Sequence, residues 1–243
     1  MLKVWARAHA HNDYMHKRPL WDALDAGFAS VEADIYVVDD NLHVAHDRKD
    51  ITAEGTLDAM YLRPLWERFR RSKAIQPNLR TFQLLIDIKA DGGGALKILD
   101  RTLKPYEEML SHTSRGNYSQ GSVEIVLSGD RPTQILKGRS TRNVFLDARL
   151  VDLSTAPVGL FVMLSESWLP NIPWYGRGMI TKQHRQWLSD YVSKADDLGL
   201  KSRFWGIPDT ASAWRLLDAA GVSWIGTDQL TLCSEWFMKR ERS

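Results

Sequence analysis

Ala8-His9-Ala10-His11-Asn12-Asp13-Tyr14 is followed by Ser30-Val31-Glu32-Ala33-Asp34-Ile35-Tyr36 and by Leu42-His43-Val44-Ala45-His46-Asp47. Each of the three stretches sets polar groups at or near the end of a strand-like run. From Ser30 to Val38, Val31, Ala33, Ile35 and Val37 alternate with Glu32, Asp34 and Tyr36. Strand side chains alternate with period two, so the apolar set takes one face and the acids share the other. Downstream, the apolar run Leu84-Leu85-Ile86-Asp87-Ile88-Lys89 has the same design, with Asp87 and Lys89 on one face.

Further strand-like runs follow at 123–128, 144–147, 160–164, 202–208 and 222–226. With 3–8, 30–38 and 82–89 these make eight main strands, most separated by helical or crossover segments. That rhythm predicts a parallel sheet closed into a single (β/α)8 barrel of the α/β class, one domain over 1–243. Helices are expected between Pro19 and Gly27, over 57–71 with a start or kink at Pro64, over 95–110 after a Gly92-Gly93-Gly94 turn, and over 181–198 and 211–220. An open doubly wound sheet would bring a Gly-x-Gly-x-x-Gly turn for nucleotide binding, and the chain has none.

Composition bounds the function. The chain has 243 residues, 44% hydrophobic and 26% charged, enough to bury a large core in a soluble protein. A net charge of +2 argues against nucleic acid as the main partner. The single cysteine, Cys233, excludes a disulfide framework and a cysteine zinc site. No apolar run reaches the length of a membrane span. The opening Met1–Arg7 is too short and too quickly polar for a signal peptide. A cytoplasmic protein is the expectation, with a removed leader the alternative.

Glu32, Asp34 and Asp87 can converge on one cation. Three carboxylates with open positions suit Mg²⁺ or Ca²⁺, whereas zinc ordinarily recruits His or Cys. The bland alternative is a buried ion pair, which one acid alone would suggest. Three acids clustered on adjacent strands are costly without a cation. His11 and His46 follow two strand ends, where barrel enzymes place their sites, and suit general base and general acid. His9 competes with His11 by parity, and position beyond the strand favours His11. Asp47 is placed to orient His46. Lys89, Arg203 and Trp205 are candidates for substrate: two phosphate contacts and an apolar or cation-binding wall. Asp130, Arg131 and Asp228 share the catalytic face by position only. His16, His43, His112 and His184 read as surface or core residues.

The order His11, Glu32-x-Asp34, His46-Asp47, Asp87-x-Lys89 resembles the glycerophosphodiester phosphodiesterase and phosphatidylinositol-specific phospholipase C superfamily. The spacing is most similar to its sphingomyelinase D-like branch, and Arg203-Phe204-Trp205 also fits a less studied phospholipase C-like group. The resemblance implies a barrel and one divalent cation on Glu32, Asp34 and Asp87, with His11 and His46 as the acid-base pair. It further implies attack on phosphorus by a neighbouring substrate hydroxyl through a cyclic phosphate. His11-Asn12-Asp13 stands where glycerophosphodiesterases carry His-Arg-Gly, which passes the phosphate contact to Asn12 or Lys89. The expected function is therefore a metal-dependent phosphodiesterase acting on a glycerophosphodiester or (lyso)phospholipid-type substrate. A phospholipase D-like transesterase releasing the cyclic phosphate is the alternative within enzymes. A non-catalytic binding or scaffold barrel, docking through Trp168–Tyr175, is the alternative outside them. That loop is otherwise expected to pack over the barrel mouth.

Overall fold

Val31, Ala33 and Ile35 are fully buried against helices, and Glu32 and Asp34 are buried on the opposite face, as period-two alternation requires. In this computed structural model, which describes residues 3–155 and 159–241, that strand is the second of eight. They are β1 (Trp5–Ala10), β2 (Phe28–Val38), β3 (Phe82–Ile88), β4 (Val123–Gly129), β5 (Val144–Ala148), β6 (Phe161–Ser167), β7 (Lys201–Trp205) and β8 (Ile225–Thr227). Neighbours pair in parallel from β8 through β1 and on to β7. The seam between β7 and β8 closes at one bridge, Arg203 with Trp224, where Trp224 N–H donates to the Ser202 carbonyl over 2.9 Å. The result is a nearly closed α/β barrel.

Two apolar layers hold it. Leu84, Ile86 and Ile88 face outward into the helix layer, whereas Leu85 joins Ala29, Val126, Met163 and Trp224 inside the barrel. The inner cluster fills the N-terminal half and leaves polar side chains at the C-terminal end. β2 runs on past the barrel into an antiparallel hairpin with Asn41–Val44, which returns the chain to that end.

Some expected elements differ. The three glycines open the helix Gly92–Leu103 rather than forming a turn before it. The Asp91 carboxylate caps that helix by accepting from Gly94 N–H, and a side chain on Gly92 would overlap the Asp130 carbonyl. Helix continues only to Leu103, because Pro105 lacks an N–H, and a 3₁₀ segment takes over through Met109. Pro64 lies in the first turn of Arg63–Ser72, after a π-helical turn, as a proline start requires. A side sheet (His112–Ser114, Asn117–Ser119, Thr141–Arg142) and a last helix, Leu230–Arg240, are additional. The loop after β6 packs sideways rather than over the mouth. Trp168 meets the outward-facing Phe204 edge-on at 5.5 Å, and of the loop's large apolar side chains only Tyr175 is largely exposed. No helix among the described residues is long and apolar enough to cross a membrane.

Candidate metal and phosphate site

Parallel pairing sets Asp34 beside Asp87 in register, with Glu32 one inward position below on β2. One carboxylate oxygen from each lies within 4.8 Å of the others. Each acid has a different environment. Glu32 is buried, and its Oε2 accepts from His9 Nε2 at 3.2 Å and from the Arg203 guanidinium. Burial alone would raise its pKa, but Arg203 and the His9 hydrogen bond outweigh it and hold the carboxyl well below the usual range. Asp34 Oδ2 accepts from the Tyr14 hydroxyl at 2.7 Å and lies 2.8 Å from Lys89 Nζ. Its Oδ1 is buried with no hydrogen-bond partner. Asp87 has Lys89 at 3.5 Å, yet burial and the neighbouring Glu32 and Asp34 charges raise its pKa. A buried, partnerless carboxylate oxygen beside two further acids fits a hard divalent cation, which takes oxygen ligands.

The two histidines of the first motif separate. His9 lies within β1, fully buried, in a relay running from Gln83 to Ser30 (3.0 Å), from Ser30 to His9 Nδ1 (2.8 Å) and on to Glu32. Burial first, then Arg203, lowers its pKa to about 4, so it stays neutral and orients Glu32. His11 sits one residue past β1, partly exposed, with Nδ1 2.8 Å from Asp228 Oδ1. Burial acts to lower its pKa, but the Asp228 hydrogen bond and the Glu32 charge leave it raised. His46, just beyond the hairpin, is 3.0 Å from the Tyr14 hydroxyl and 3.5 Å from Asp34 through Nδ1.

Asn12 takes a left-handed conformation (φ 48°), which turns the chain so that Tyr14 comes back under His46. The Asn12 Oδ1 is 2.8 Å from the Tyr14 hydroxyl. Asp13 anchors this turn from below by accepting from the Leu20 N–H and the Tyr61 hydroxyl, and burial pushes its pKa up to about 7. The sequence reading missed Tyr14, although it lies inside the quoted motif. Its role depends on a turn that strand periodicity does not describe.

Four expected placements change. Asp47 makes no hydrogen bond or ion pair with His46 among the described residues; it is exposed and its carboxylate lies 3.5 Å from Lys49, because the chain enters a 3₁₀ turn at Arg48. Lys89 and Arg203 already pair with Asp34 and Glu32 rather than standing free for phosphate. The face of Trp205 carries the Arg149 guanidinium at 4.6 Å. Arg149 went unread in the sequence, though Asp147 and Arg149 share parity at the end of β5. Of the positional candidates, Asp228 holds His11, Asp130 accepts from Gly92 N–H at 3.0 Å, and Arg131 pairs with Asp152.

These groups line one cavity of about 340 Å³ at the C-terminal end of the barrel. The three carboxylates, both His11 and His46, and Asn12 and Lys89 lie toward β1–β3; Ser128, Arg149, Arg203 and Trp205 form the wall over β4–β7. The arrangement can hold a cation, place two imidazoles beside it and set positive charge around a phosphate.

Comparison with known proteins agrees with this architecture. A family model described as AIM6-like phosphodiesterase domain matches residues 4–147. An altered inheritance of mitochondria protein 6 homolog from Arthroderma benhamiae is 24% identical over 260 residues, covering 94% of this chain and 83% of that protein. Altered inheritance of mitochondria protein 6 from Eremothecium gossypii is 28% identical over 272 residues, covering 96% of this chain and 70% of that one. Among solved structures, a glycerophosphodiester phosphodiesterase from Agrobacterium tumefaciens superposes with a TM-score of 0.54 at 12% identity. The match covers 96% of this chain and 100% of that one, a likeness of fold.

Proposed function

The chain belongs to the AIM6-like phosphodiesterase domain family, and from that membership and its glycerophosphodiester phosphodiesterase-like fold we propose that it is a metal-dependent phosphodiesterase of the glycerophosphodiester phosphodiesterase and phosphatidylinositol-specific phospholipase C superfamily. Its substrate is a glycerophosphodiester or lysophospholipid-type molecule. The observation that carries the reading is the convergence of Glu32, Asp34 and Asp87 with His11 and His46 on one cavity.

Glu32, Asp34 and Asp87 would hold one divalent cation, Mg²⁺ or Ca²⁺, which when bound stabilises charge on a phosphoryl oxygen. His9 and Arg203 fix the Glu32 carboxylate, and Tyr14 and Lys89 fix Asp34. Arg203 and Lys89 offset two of the three negative charges, so the site still favours a cation without repelling a phosphodiester. His46 removes the proton of the attacking substrate hydroxyl. That oxygen bonds to phosphorus, the bond to the leaving alcohol breaks, and His11, whose protonated form the Asp228 hydrogen bond favours, returns a proton to the departing oxygen. The product is a cyclic phosphate, which is released or hydrolysed.

The test is turnover of a lysophospholipid and a glycerophosphodiester, each carrying the neighbouring hydroxyl that the step requires, with Mg²⁺, Ca²⁺ or excess chelator. Chelator-sensitive turnover is expected, together with its loss in His46→Ala while calorimetry still registers the cation. A His46→Ala protein as active as the wild type would refute the acid-base assignment. Absence of both turnover and cation binding would leave a non-catalytic barrel.

A further inference from the structure

Arg149 is fixed more tightly than a surface cation needs. Its Nη1 donates to the Asp147 carboxylate at 2.7 Å and to the Ala148 carbonyl at 3.1 Å, and its Nη2 donates to Ser128 Oγ at 3.0 Å. Ser128 in turn donates to the same Asp147 oxygen at 3.0 Å, and Asp147 is fully buried. The ring of contacts occupies the Nη1–Nη2 edge, and Trp205 holds the guanidinium plane. Of the five N–H donors of a guanidinium, Nε–H and one on Nη2 take no acceptor among the described residues, on a side chain one-fifth exposed (20%) that lines the cavity. Two parallel N–H groups on one edge match the two oxygens of a carboxylate or phosphate.

The same arrangement disfavours a quaternary ammonium. A choline group seeks a bare aromatic face, and the guanidinium lies across this face of Trp205. Arg149 follows the end of β5, two strands round the barrel from Asp87 and bonded to Ser128, the register neighbour of Asp87 on β4; it stands on the wall of the same cavity, where a substituent of a seated diester would reach.

We propose that Arg149, braced by Asp147, Ser128 and Trp205, is a specificity residue that binds an anionic oxygen pair, carboxylate or phosphate, on the head group of the diester. The inference rests on the phosphodiesterase reading and names its substrate class: diesters with a second anionic group.

The test uses matched ligands that differ by that group alone. Glycerophosphoserine differs from glycerophosphoethanolamine by a carboxylate, and glycerophosphoinositol 4-phosphate from glycerophosphoinositol by a phosphate. Binding is titrated calorimetrically with Mg²⁺ on the His46→Ala protein, so that the ligand survives, and glycerophosphocholine serves as the cationic control. We expect the anionic member of at least one pair to bind about tenfold tighter, the size of a charge-assisted contact, with the better pair telling carboxylate from phosphate. In Arg149→Gln on that background the ratio falls to near one. Arg149→Lys keeps a cation beside Asp147 but loses the fork, so it also lowers the ratio, and it decides the matter if the Gln variant does not fold. Equal affinities within both pairs, a preference that survives in Arg149→Gln, or uniform weakening of every ligand would overturn the proposal. The last result would place Arg149 on the scissile phosphate. A preference found in a protein that turns over no diester would retain the anion subsite and end the phosphodiesterase reading; turnover without preference would do the reverse.

Discussion

Glu32 illustrates how one side chain serves both fold and site. Its carboxylate neutralises a buried Arg203, so Glu32→Ala leaves that guanidinium uncompensated inside the barrel. We expect a loss of about 3 kcal/mol in urea unfolding for Glu32→Ala. Glu32→Gln, which keeps an acceptor for Arg203, should lose clearly less, and both should lose cation binding. Equal stability of the two variants would contradict a structural role for the pair. His11 makes a second residue-scale prediction. Its pKa is raised because the Asp228 hydrogen bond and the Glu32 charge outweigh burial. Activity that needs protonated His11 is therefore present below that pKa and lost as pH rises through it. Asp228→Ala removes the chief raising contact, so the alkaline limb of the pH–rate profile should move to lower pH. A limb that stays in place would argue against His11 as the acid.

At the scale of elements, the site depends on the turns that follow strands. Gly129 ends β4 with φ +69°, and a side chain there would overlap the Ile88 carbonyl and the Asp87 carboxylate. Gly129→Ala should cost about 2 kcal/mol from the unfavourable backbone conformation and the clash. Because the clash falls on Asp87, cation affinity should weaken as well, read by titration of the folded variant. Unchanged affinity would mean that Asp87 has room to move. The strands themselves were legible: in β2 the alternation of Val31, Ala33 and Ile35 with Glu32 and Asp34 announces both faces. The turns were not. Asn12 enters a left-handed conformation and Asp47 leads into a 3₁₀ turn, and neither choice has a periodic signature.

Across the whole molecule, the barrel is held unequally around its circumference. β3 pairs with β4 through all seven residues, whereas β7 meets β8 at one bridge supported by Ser202 and Ser223, whose hydroxyls each accept from the other's backbone N–H across the seam, at 2.9 and 3.0 Å. Seams with few backbone pairs open at lower free energy. Hydrogen exchange should therefore be faster at Ser202, Ser223 and Trp224 than along Leu84–Ile86, and Ser223→Ala should widen the difference. Uniform protection around the barrel would show that the Arg203–Glu32 pair, which ties β7 to β2, suffices to close it.

The sequence by itself determined the eight-strand rhythm and the shared face of Glu32 and Asp34, because alternation along a strand is local backbone geometry. It also placed Asp87 with them, since a second alternating run had only to pair in parallel. Tertiary structure alone decided which histidine faces the cavity, which basic side chains pair with the acids, and what covers Trp205. Those outcomes rest on contacts such as Arg203 with Glu32, 171 residues apart, and Arg149 with Trp205. Barrel closure and strand stagger bring such residues together, and neither is written in the spacing of any one segment.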